Sequence, residues 1–364
     1  MKNTFGQSVA VTVFGESHGS AVGAVIDGLA PGLTVDEERI AAELSRRRPK
    51  SEISTARQER DKFSIVSGVF NGKTTGAPIC IVIPNEDAHS SDYRQGIARP
   101  SHADYAAFCK YHGFEDYRGG GHFSGRVTAA FAAAAGILTP ALEKLGITVA
   151  THIAQCGGVA DRAFGDIEMD AALLKERAFP TLDEAAGEKM RAEILKVKAE
   201  NDSIGGLTET LISGAPAGLG EPWFDSCESV LSHALFSIGG IKGVEFGGGF
   251  ALAQSKGSQA NDAFYMDGGQ VKTKTNRSGG INGGITNGMP IMFRCAVKPT
   301  ASIAAEQKTV DFINGTDQLI SIKGRHDPSI VPRVCPVIDY MSVITLCDLL
   351  AQRYGTDVFV KGAL

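Results

Sequence analysis

Glycine clusters set the strongest constraint on how this chain can fold. The sequence has 44 glycines in 364 residues, against roughly 7% in an average protein. They concentrate in a few loops, such as residues 119–121 and 275–288, and they follow no collagen-like period. Such clusters indicate loops whose backbone turns sharply or approaches a neighbour closely, set between ordered elements.

The remaining composition is that of a protein with a sizeable core. Hydrophobic residues make up 43% and charged residues 21%, and the net charge of −5 gives no basic excess, so we expect no nucleic-acid partner. The longest apolar run, residues 129–138, is shorter than the roughly 18 residues of a membrane span. The N-terminus has no apolar signal core, so we expect a cytoplasmic protein without a membrane partner. Seven cysteines without a C-x-x-C pair predict free thiols and no metal site.

Strand-like and helix-like segments alternate along the chain. Runs rich in Val and Ile predict strands at residues 9–14, 21–27, 63–70, 77–83, 148–156, 207–213, 243–253 and 290–296. Apolar residues at helical spacing predict helices at residues 35–47, 101–114, 125–145, 183–199, 224–236 and 342–354. No linker divides the sequence, so we expect one unit over residues 1–364, made of two interleaved halves at about 1–200 and 201–364.

A short pattern occurs twice at a constant offset of 186 residues. Ile26-Asp27-Gly28 and Gly32-Leu33 return as Ile212-Ser213-Gly214 and Gly218-Leu219. A predicted helix follows each copy. The pattern is compatible with an internal duplication of a strand–turn–helix unit and equally with two unrelated turns of similar type.

Two segments have the chemistry of anion binding. Residues 119–121 lead into a predicted helix near Ser124, and Arg118 and Arg126 flank them. Backbone N–H groups at a helix start attract anions, although a tight turn with Ser124 as a helix cap has the same sequence. The triplet 46–48 places three arginines at the end of the predicted helix 35–47, and arginine suits phosphate and carboxylate.

Histidines in polar loops add candidate acids. His18 lies between two predicted strands, His102 follows Arg99, and His326 follows Arg325. A histidine near an arginine can protonate a phosphate oxygen, whereas any one of them alone is compatible with a structural role. Neither a P-loop nor a Rossmann G-x-G-x-x-G motif is present. These residues together indicate an enzyme for a small ligand with several negative charges.

Read in order, ten motifs resemble the chorismate synthase family from end to end. They are Phe14-Gly-Glu-Ser-His-Gly19, Arg46-Arg-Arg-Pro49, Asn85-Glu-Asp87, Arg99-Pro-Ser-His-Ala-Asp104, Tyr117-Arg-Gly-Gly-Gly121, Asn201-Asp-Ser-Ile-Gly-Gly206, Gly218-Leu-Gly-Glu-Pro222, Gly279-Gly-Ile281 with Gly283-Gly-Ile285, Lys298-Pro-Thr300 and Gly324-Arg-His-Asp-Pro328. The resemblance implies an α+β fold in which a helical layer lies between antiparallel sheets, with internal pseudo-duplication, assembled as a homotetramer.

The resemblance also implies the reaction. It is the 1,4-elimination of phosphate from 5-enolpyruvylshikimate 3-phosphate, which gives chorismate at the last step of the shikimate pathway and requires reduced FMN. His18 is then expected to protonate the departing phosphate, His102 to hold the proton that keeps the reduced flavin neutral, and Asp327 to relay the proton at flavin N5. The triple arginine and Arg126 are expected to clamp phosphate and carboxylates. The substrate-binding residues carried over from the family are Arg47, Arg48 and Arg126.

The family's flavin positions can be carried over in the same way. The FMN-binding residues implied by the resemblance are His122, Phe123, Ser124, Gly239, Gly240, Gly283, Lys298, Pro299, Thr300, Ala301, Ser302 and Arg325. His122 stands where many relatives carry arginine, and Gly239-Gly240 replaces a bulkier pair. Arg47 matches a position associated with substrate or NADP, but Ile53 lies near where some relatives have a further arginine, which weakens a nicotinamide site.

Two other functions remain open from the sequence. One is an NAD(P)H:flavin reductase that binds FMN and carries out net redox chemistry. The other is a non-catalytic module that binds flavin or phosphate, for which acids beside arginines in separate loops are not needed.

Overall fold

The computed structural model of the protein describes residues 2–48, 53–54, 60–86, 94–322 and 327–363. The predicted flavin residue Arg325 and its neighbour His326 lie outside these ranges. The strands in chain order are β1 Thr4–Phe5, β2 Ala10–Gly15, β3 Ala21–Asp27, β4 Ser64–Ser67, β5 Val69–Phe70, β6 Lys73–Thr74, β7 Ile79–Pro84, β8 Thr148–Cys156, β9 Val159–Ala160, β10 Gly206–Ser213, β11 Ile241–Phe246, β12 Phe264–Asp267, β13 Gln270–Thr273, β14 Ile281–Asn282, β15 Ile285–Thr286, β16 Ile291–Val297, β17 Gln307–Asp311 and β18 Thr316–Ile320. The helices are α1 Glu37–Arg46, α2 Asp104–Tyr111, α3 Thr128–Lys144, α4 Ile167–Glu176, α5 Glu184–Ala199, α6 Cys227–Phe236, α7 Gly257–Ala260, α8 Val331–Tyr354 and α9 Val358–Lys361.

Two five-stranded antiparallel sheets form the outer layers of the fold. Sheet I has the strand order β1-β2-β3-β7-β4, and sheet II has the order β11-β16-β10-β8-β9. Alternate residues of the central strands are buried, as in Ile79, Ile81 and Ile83 of β7. This period of two places one apolar face of each sheet against the helices.

A layer of helices fills the space between the sheets. Helix α3 packs on sheet I, α8 packs on sheet II, and the two helices contact each other. Helix α1 lies against α3, where a Cβ on Gly136 would come within 2.6 Å of the Ile40 Cα. Two apolar helical segments, residues 125–144 and 331–354, are long enough to cross a membrane, but both are largely buried in this layer. The predicted α+β sandwich is confirmed.

The strand order repeats within the chain. With other elements inserted between them, the first half contains in order β2, β3, α1, β4, β7 and α3, and the second half contains in order β8, β10, α6, β11, β16 and α8. The spatial orders also agree, because β2-β3-β7-β4 in sheet I matches β8-β10-β16-β11 in sheet II.

The repeated sequence pattern adopts the same hydrogen bonding in both copies. The Leu33 amide donates to Thr74 Oγ1 at 2.9 Å, and the Leu219 amide donates to Thr286 Oγ1 at 2.8 Å. Gly32 and Gly218 donate to the main-chain carbonyls of the same two threonines. Equal topology and equal turn bonding favour internal duplication over chance similarity.

Two predicted elements differ from those observed. Residues 243–253 form no single strand, because Gly247 (φ 56) and Gly249 (φ 50) take the left-handed conformation and end β11. Helix α8 begins at Val331, well before the predicted residue 342, and it includes Pro332 in its first turn and Pro336 beyond it. Proline is well tolerated at the start of a helix, where its missing N–H has no partner to lose.

Candidate active site

A cavity of about 860 Å³ brings loops of both halves together. This volume lies in the upper part of the range for small-molecule sites. The predicted site residues that line it are His18, Arg47, Arg48, His102, His122, Phe123, Ser124, Arg126, Gly239, Gly240, Lys298, Pro299, Thr300, Ala301, Ser302 and Asp327. Gly283 does not line the cavity of this single chain. With Gly284, it forms the tight turn between β14 and β15, where both glycines have positive φ.

His18 is held against the glycine loop 119–121. It lies in the turn between β2 and β3, and the Ser17 amide donates to the Gly121 carbonyl at 3.0 Å. A Cβ on Gly119 would lie 2.1 Å from His18 Cε1, so the histidine ring packs on the bare Cα. Gly119 adopts φ 60, which glycine takes at little cost. The loop therefore positions His18.

The connection from the glycine loop to helix α3 is a capped turn. The Ser124 side chain accepts a hydrogen bond from the Arg126 amide, and α3 begins only at Thr128. Arg118 forms an ion pair with Asp116 at 2.8 Å and is not among the residues that line the cavity. The predicted capping role of Ser124 is thus present, and Arg126 is the flanking arginine that reaches the cavity.

Asn85 connects the His18 turn to Arg126. Its side-chain amide donates to the carbonyls of Glu16 at 2.9 Å and Gly19 at 2.8 Å. Its Oδ1 accepts from Arg126 Nε at 2.8 Å. The carboxamide therefore satisfies both its donors and an acceptor position in one arrangement, and it fixes the turn relative to the arginine.

Three arginines meet at one buried carboxylate. Asp61 pairs with Arg126, and its Oδ2 lies 3.4 Å from Arg47 Nη2 and 3.8 Å from Arg48 Nε. Burial lowers the pKa of Arg47 to about 10, although Asp61 opposes the shift, while the charges of Arg333 and Arg126 add to it. Three guanidinium groups at the cavity thus share one carboxylate.

Arg46 does not share this site with its two neighbours. Its guanidinium binds Glu43 at 2.9 Å and Asp339 at 2.8 Å, and it does not line the cavity. The expectation that the whole triplet clamps the substrate is therefore wrong for Arg46. Successive side chains on a helix point about 100° apart, so adjacent residues at the end of α1 reach different surroundings.

Residues of the second half contact both of the other candidate acids, His102 and Asp327. His102 Nε2 is hydrogen-bonded to the buried Ser302 Oγ at 2.6 Å. Lys298 Nζ donates to the Ser101 carbonyl at 2.7 Å, which attaches the same two loops to each other. Asp327 accepts from Arg333 Nη1 at 2.6 Å.

His122 has a fixed ring orientation. Its Nδ1 donates to the Gly15 carbonyl at 2.7 Å. Nε2 of the neutral ring is then the unprotonated nitrogen. His122 thereby connects the glycine loop to the end of β2 while lining the cavity.

Sequence reasoning missed Asp61 and Arg333 as residues of this site. Asp61 stands in the ordinary charged run 60–62, and Arg333 lies in an apolar helix. Asn85 carried a family motif but no assigned role. The only available signal for Asp61 was the number of nearby arginines that need a counter-charge.

The comparisons with known sequences and structures all indicate the same family. The family model for chorismate synthase matches residues 9–351. The chain is 44% identical over 349 residues to chorismate synthase from Methanocella arvoryzae, covering 95% of this chain and 93% of that protein. It is 45% identical over 350 residues to chorismate synthase from Pyrococcus abyssi, covering 96% and 97% of the two chains.

A solved structure supports the same relationship. A crystal structure of chorismate synthase superimposes with a TM-score of 0.76 at 28% sequence identity, covering 96% of this chain and 94% of that chain. The sequence and fold matches therefore both extend over nearly the whole chain. The chain belongs to the chorismate synthase family, the lyases that form chorismate in the shikimate pathway.

Proposed function

We propose that the 860 Å³ cavity binds reduced FMN and 5-enolpyruvylshikimate 3-phosphate together and eliminates phosphate to give chorismate. The observation that carries this proposal is the division of the cavity wall. In the first half, three lining arginines cluster at Asp61. In the second half, Gly239 and Gly240 lie beside the loop 298–302, where the Lys298 amide donates to the Gly240 carbonyl at 2.9 Å. A site of this size with two unlike walls suits two ligands bound side by side.

The second-half wall fits a flat cofactor. A Cβ on Gly239 would meet nothing within 4 Å, so the backbone there is open to the cavity. The buried Thr300 hydroxyl makes no hydrogen bond to any described residue, which leaves it available to a ligand. Gly239, Gly240 and residues 298–302 are therefore the proposed flavin contacts. When bound there, reduced FMN would supply the transient electron density that the elimination needs.

The first-half wall fits the anionic substrate. Arg47, Arg48 and Arg126 supply charge-assisted donors for phosphate and carboxylate oxygens. Arg126 is held by Asn85 and the Pro84 carbonyl before the ligand arrives. Together the three arginines stabilise the negative charge that grows on phosphate as the C–O bond breaks.

The candidate acids and base lie on separate loops around this cavity. His18 is proposed to donate a proton to the departing phosphate oxygen. His102, oriented by Ser302, is proposed to hold the proton that keeps the cofactor site electrically neutral. The Asp327 carboxylate, paired with Arg333, is proposed to relay the proton that derives from the ring hydrogen.

We also propose assembly as a homotetramer. Large apolar side chains are exposed on the β12–β13 hairpin, including Phe264 and Met266, and at Trp223 and Phe224. Surfaces of this kind are typical of contacts between protein chains. Light scattering coupled to size-exclusion chromatography is expected to give four times the chain mass of 38.3 kDa; a monomer at micromolar concentration contradicts the proposal.

The deciding experiment is anaerobic phosphate release from 5-enolpyruvylshikimate 3-phosphate. One reaction contains chemically reduced FMN, and another contains oxidised FMN with NADPH. Release with reduced FMN alone is expected of an enzyme that depends on an external reductase, and additional release with NADPH adds flavin reduction by this chain. A folded sample that binds FMN and releases no phosphate in either reaction contradicts the proposed function.

A further inference from the structure

We propose that Asp61 is a positioning residue that sets the spacing and charge of Arg47, Arg48 and Arg126, and thereby the affinity of the enzyme for its anionic substrate. The inference rests on the proposed assignment of these three arginines to the substrate. Asp61 is not itself among the residues that line the cavity. Its effect on the substrate is therefore exerted through the three arginines that it contacts.

The geometry places Asp61 at the centre of the cluster. Its side chain is 0% exposed, and both carboxylate oxygens face arginines. Oδ1 pairs with Arg126 Nη1, whereas Oδ2 is shared between Arg47 Nη2 at 3.4 Å and Arg48 Nε at 3.8 Å. One carboxylate thus faces all three cavity arginines at once.

Asp61 does not hold the three arginines equally. Arg126 is fixed on three sides, by Asp61, by Asn85 Oδ1 and by the Pro84 carbonyl at 3.0 Å. The contacts of Arg47 and Arg48 with Asp61 are longer than a strong charge-assisted hydrogen bond. These two guanidiniums can therefore turn toward a ligand anion without first breaking a tight ion pair, while Arg126 keeps its place.

The charge balance gives Asp61 a second effect. Arg47 and Arg126 are buried, and buried guanidiniums without a counter-charge are strongly unfavourable. Arg48, whose side chain is 34% exposed, adds a third positive charge that repels them. Asp61 reduces the cluster from three positive charges to two while keeping it attractive to phosphate and carboxylates. Without it, we expect Arg47 and Arg48 to move apart or into solvent, so that the substrate must reorder them when it binds.

The test compares Asp61→Asn with the wild type and with Arg48→Ala in the full chain. At saturating reduced FMN, Asp61→Asn is expected to raise KM for 5-enolpyruvylshikimate 3-phosphate about tenfold or more, with kcat within about threefold. If Asp61 acts through the arginines, the double variant raises KM by less than the product of the two single effects. An unchanged KM, or fully multiplicative effects, overturns the proposal.

Two further variants complete the experiment. Asp170→Asn is the matched control, because Asp170 is a buried carboxylate that pairs with Arg162 outside the cavity; it is expected to lower Tm without changing KM. Should Asp61→Asn fail to fold, Asp61→Glu decides, since it keeps the charge and shifts the carboxylate by one methylene. A raised KM at wild-type Tm supports the proposal, and a wild-type KM overturns it.

The outcomes distinguish failure of the role of Asp61 from failure of the proposed function or of the arginine assignment. Absence of phosphate release by the wild type contradicts the proposed function. A normal KM in Arg48→Ala contradicts the arginine assignment. A raised KM in Arg48→Ala with normal KM in both Asp61 variants contradicts only the role of Asp61.

Discussion

The two halves of the molecule share a scaffold but carry different chemistry at equivalent places. Helix α1 in the first half is followed by Arg47 and Arg48, whereas helix α6 in the second half is followed, after two residues, by Gly239 and Gly240. All four residues line the same cavity. Duplication supplies two similar helix ends, and their side chains decide that one contributes positive charge and the other contributes bare backbone.

The outer faces of the two sheets also carry different side chains on the same strand arrangement. In sheet II, Thr151 interacts with Asp339 of the helical layer, so its neighbour His152 points to the opposite face. There the paired residues of four adjacent strands are His152, Glu209, Arg294 and Glu245. Gly23 in sheet I corresponds to Glu209, because the two differ by the offset of 186 residues. The row paired across the strands at Gly23 is Phe14, Gly23, Val82 and Ser64. One scaffold therefore tolerates an ionic row and a largely apolar one.

The largest effect is expected in the first half, at His18. His18→Ala removes the proposed proton donor, and loss of a general acid costs typically about 10²–10⁴-fold in rate. We expect that loss in kcat for phosphate release, with FMN affinity close to that of the wild type. Stopped-flow phosphate detection under anaerobic conditions measures it.

His112→Asn is the matched control for His18. His112 is exposed at the end of α2 and has φ 59, a conformation that asparagine also adopts readily. We expect its kcat to be unchanged. A His18→Ala variant with more than a tenth of wild-type kcat contradicts the assignment of His18 as the acid.

A smaller loss is expected from the glycine loop that supports His18. Gly119→Ala places a Cβ on the histidine ring, while Gly120→Ala places one no closer than 3.9 Å to any neighbour. Both positions have positive φ, so both variants carry a similar backbone cost of roughly 1–2 kcal/mol. We expect kcat to fall about 10–100-fold for Gly119→Ala and much less for Gly120→Ala, because misplaced catalytic groups cost rate. Equal kcat values in the two variants contradict a positioning role for Gly119.

The sequence predicted the elements of the site better than its contacts. The strands that flank His18 and the helix that ends at the arginines followed from apolar period alone. The role of Asp61 did not, because a single aspartate in a charged run has no local signature of burial. The orientation of Arg46 away from the cavity depends on Glu43 and Asp339, and the latter lies 293 residues along the chain.

The second half is expected to affect the cofactor more than the substrate. Gly239→Ala adds a methyl group where the backbone is open to the cavity, and its φ is not positive, so the fold loses little. We expect FMN affinity to fall about 3–10-fold while KM for the substrate changes less, since a misfitting methyl costs on the order of 1 kcal/mol. Fluorescence titration of FMN measures the affinity.

Gly257→Ala is the control for this comparison. A Cβ on Gly257 also meets nothing within 4 Å, and Gly257 does not line the cavity. We expect wild-type FMN affinity in this variant. If Gly239→Ala raises substrate KM and leaves FMN affinity unchanged, the division into a charged wall and a cofactor wall is wrong.

The smallest effect is expected on stability, where its dependence on pH should differ between the outer faces of the two sheets. Burial lowers the pKa of His152, but the hydrogen bond from Nδ1 to Asp161 and the Glu209 carboxylate 3.5 Å from Nε2 outweigh it and raise the pKa above 6.5. The folded state therefore holds this proton more tightly than the unfolded state. The resulting stability is complete below pH 6.5 and is lost as pH rises through the raised pKa. We expect His152→Asn to lower the free energy of unfolding by about 1 kcal/mol near pH 6 and by progressively less toward pH 9, measured by urea unfolding.

Phe14→Leu, at the equivalent place in sheet I, is the control. It is expected to lower the free energy of unfolding by a similar amount at every pH, because it changes packing and no charge. A cost for His152→Asn that does not vary with pH means that the ionic row stabilises sheet II through packing, as the apolar row does in sheet I.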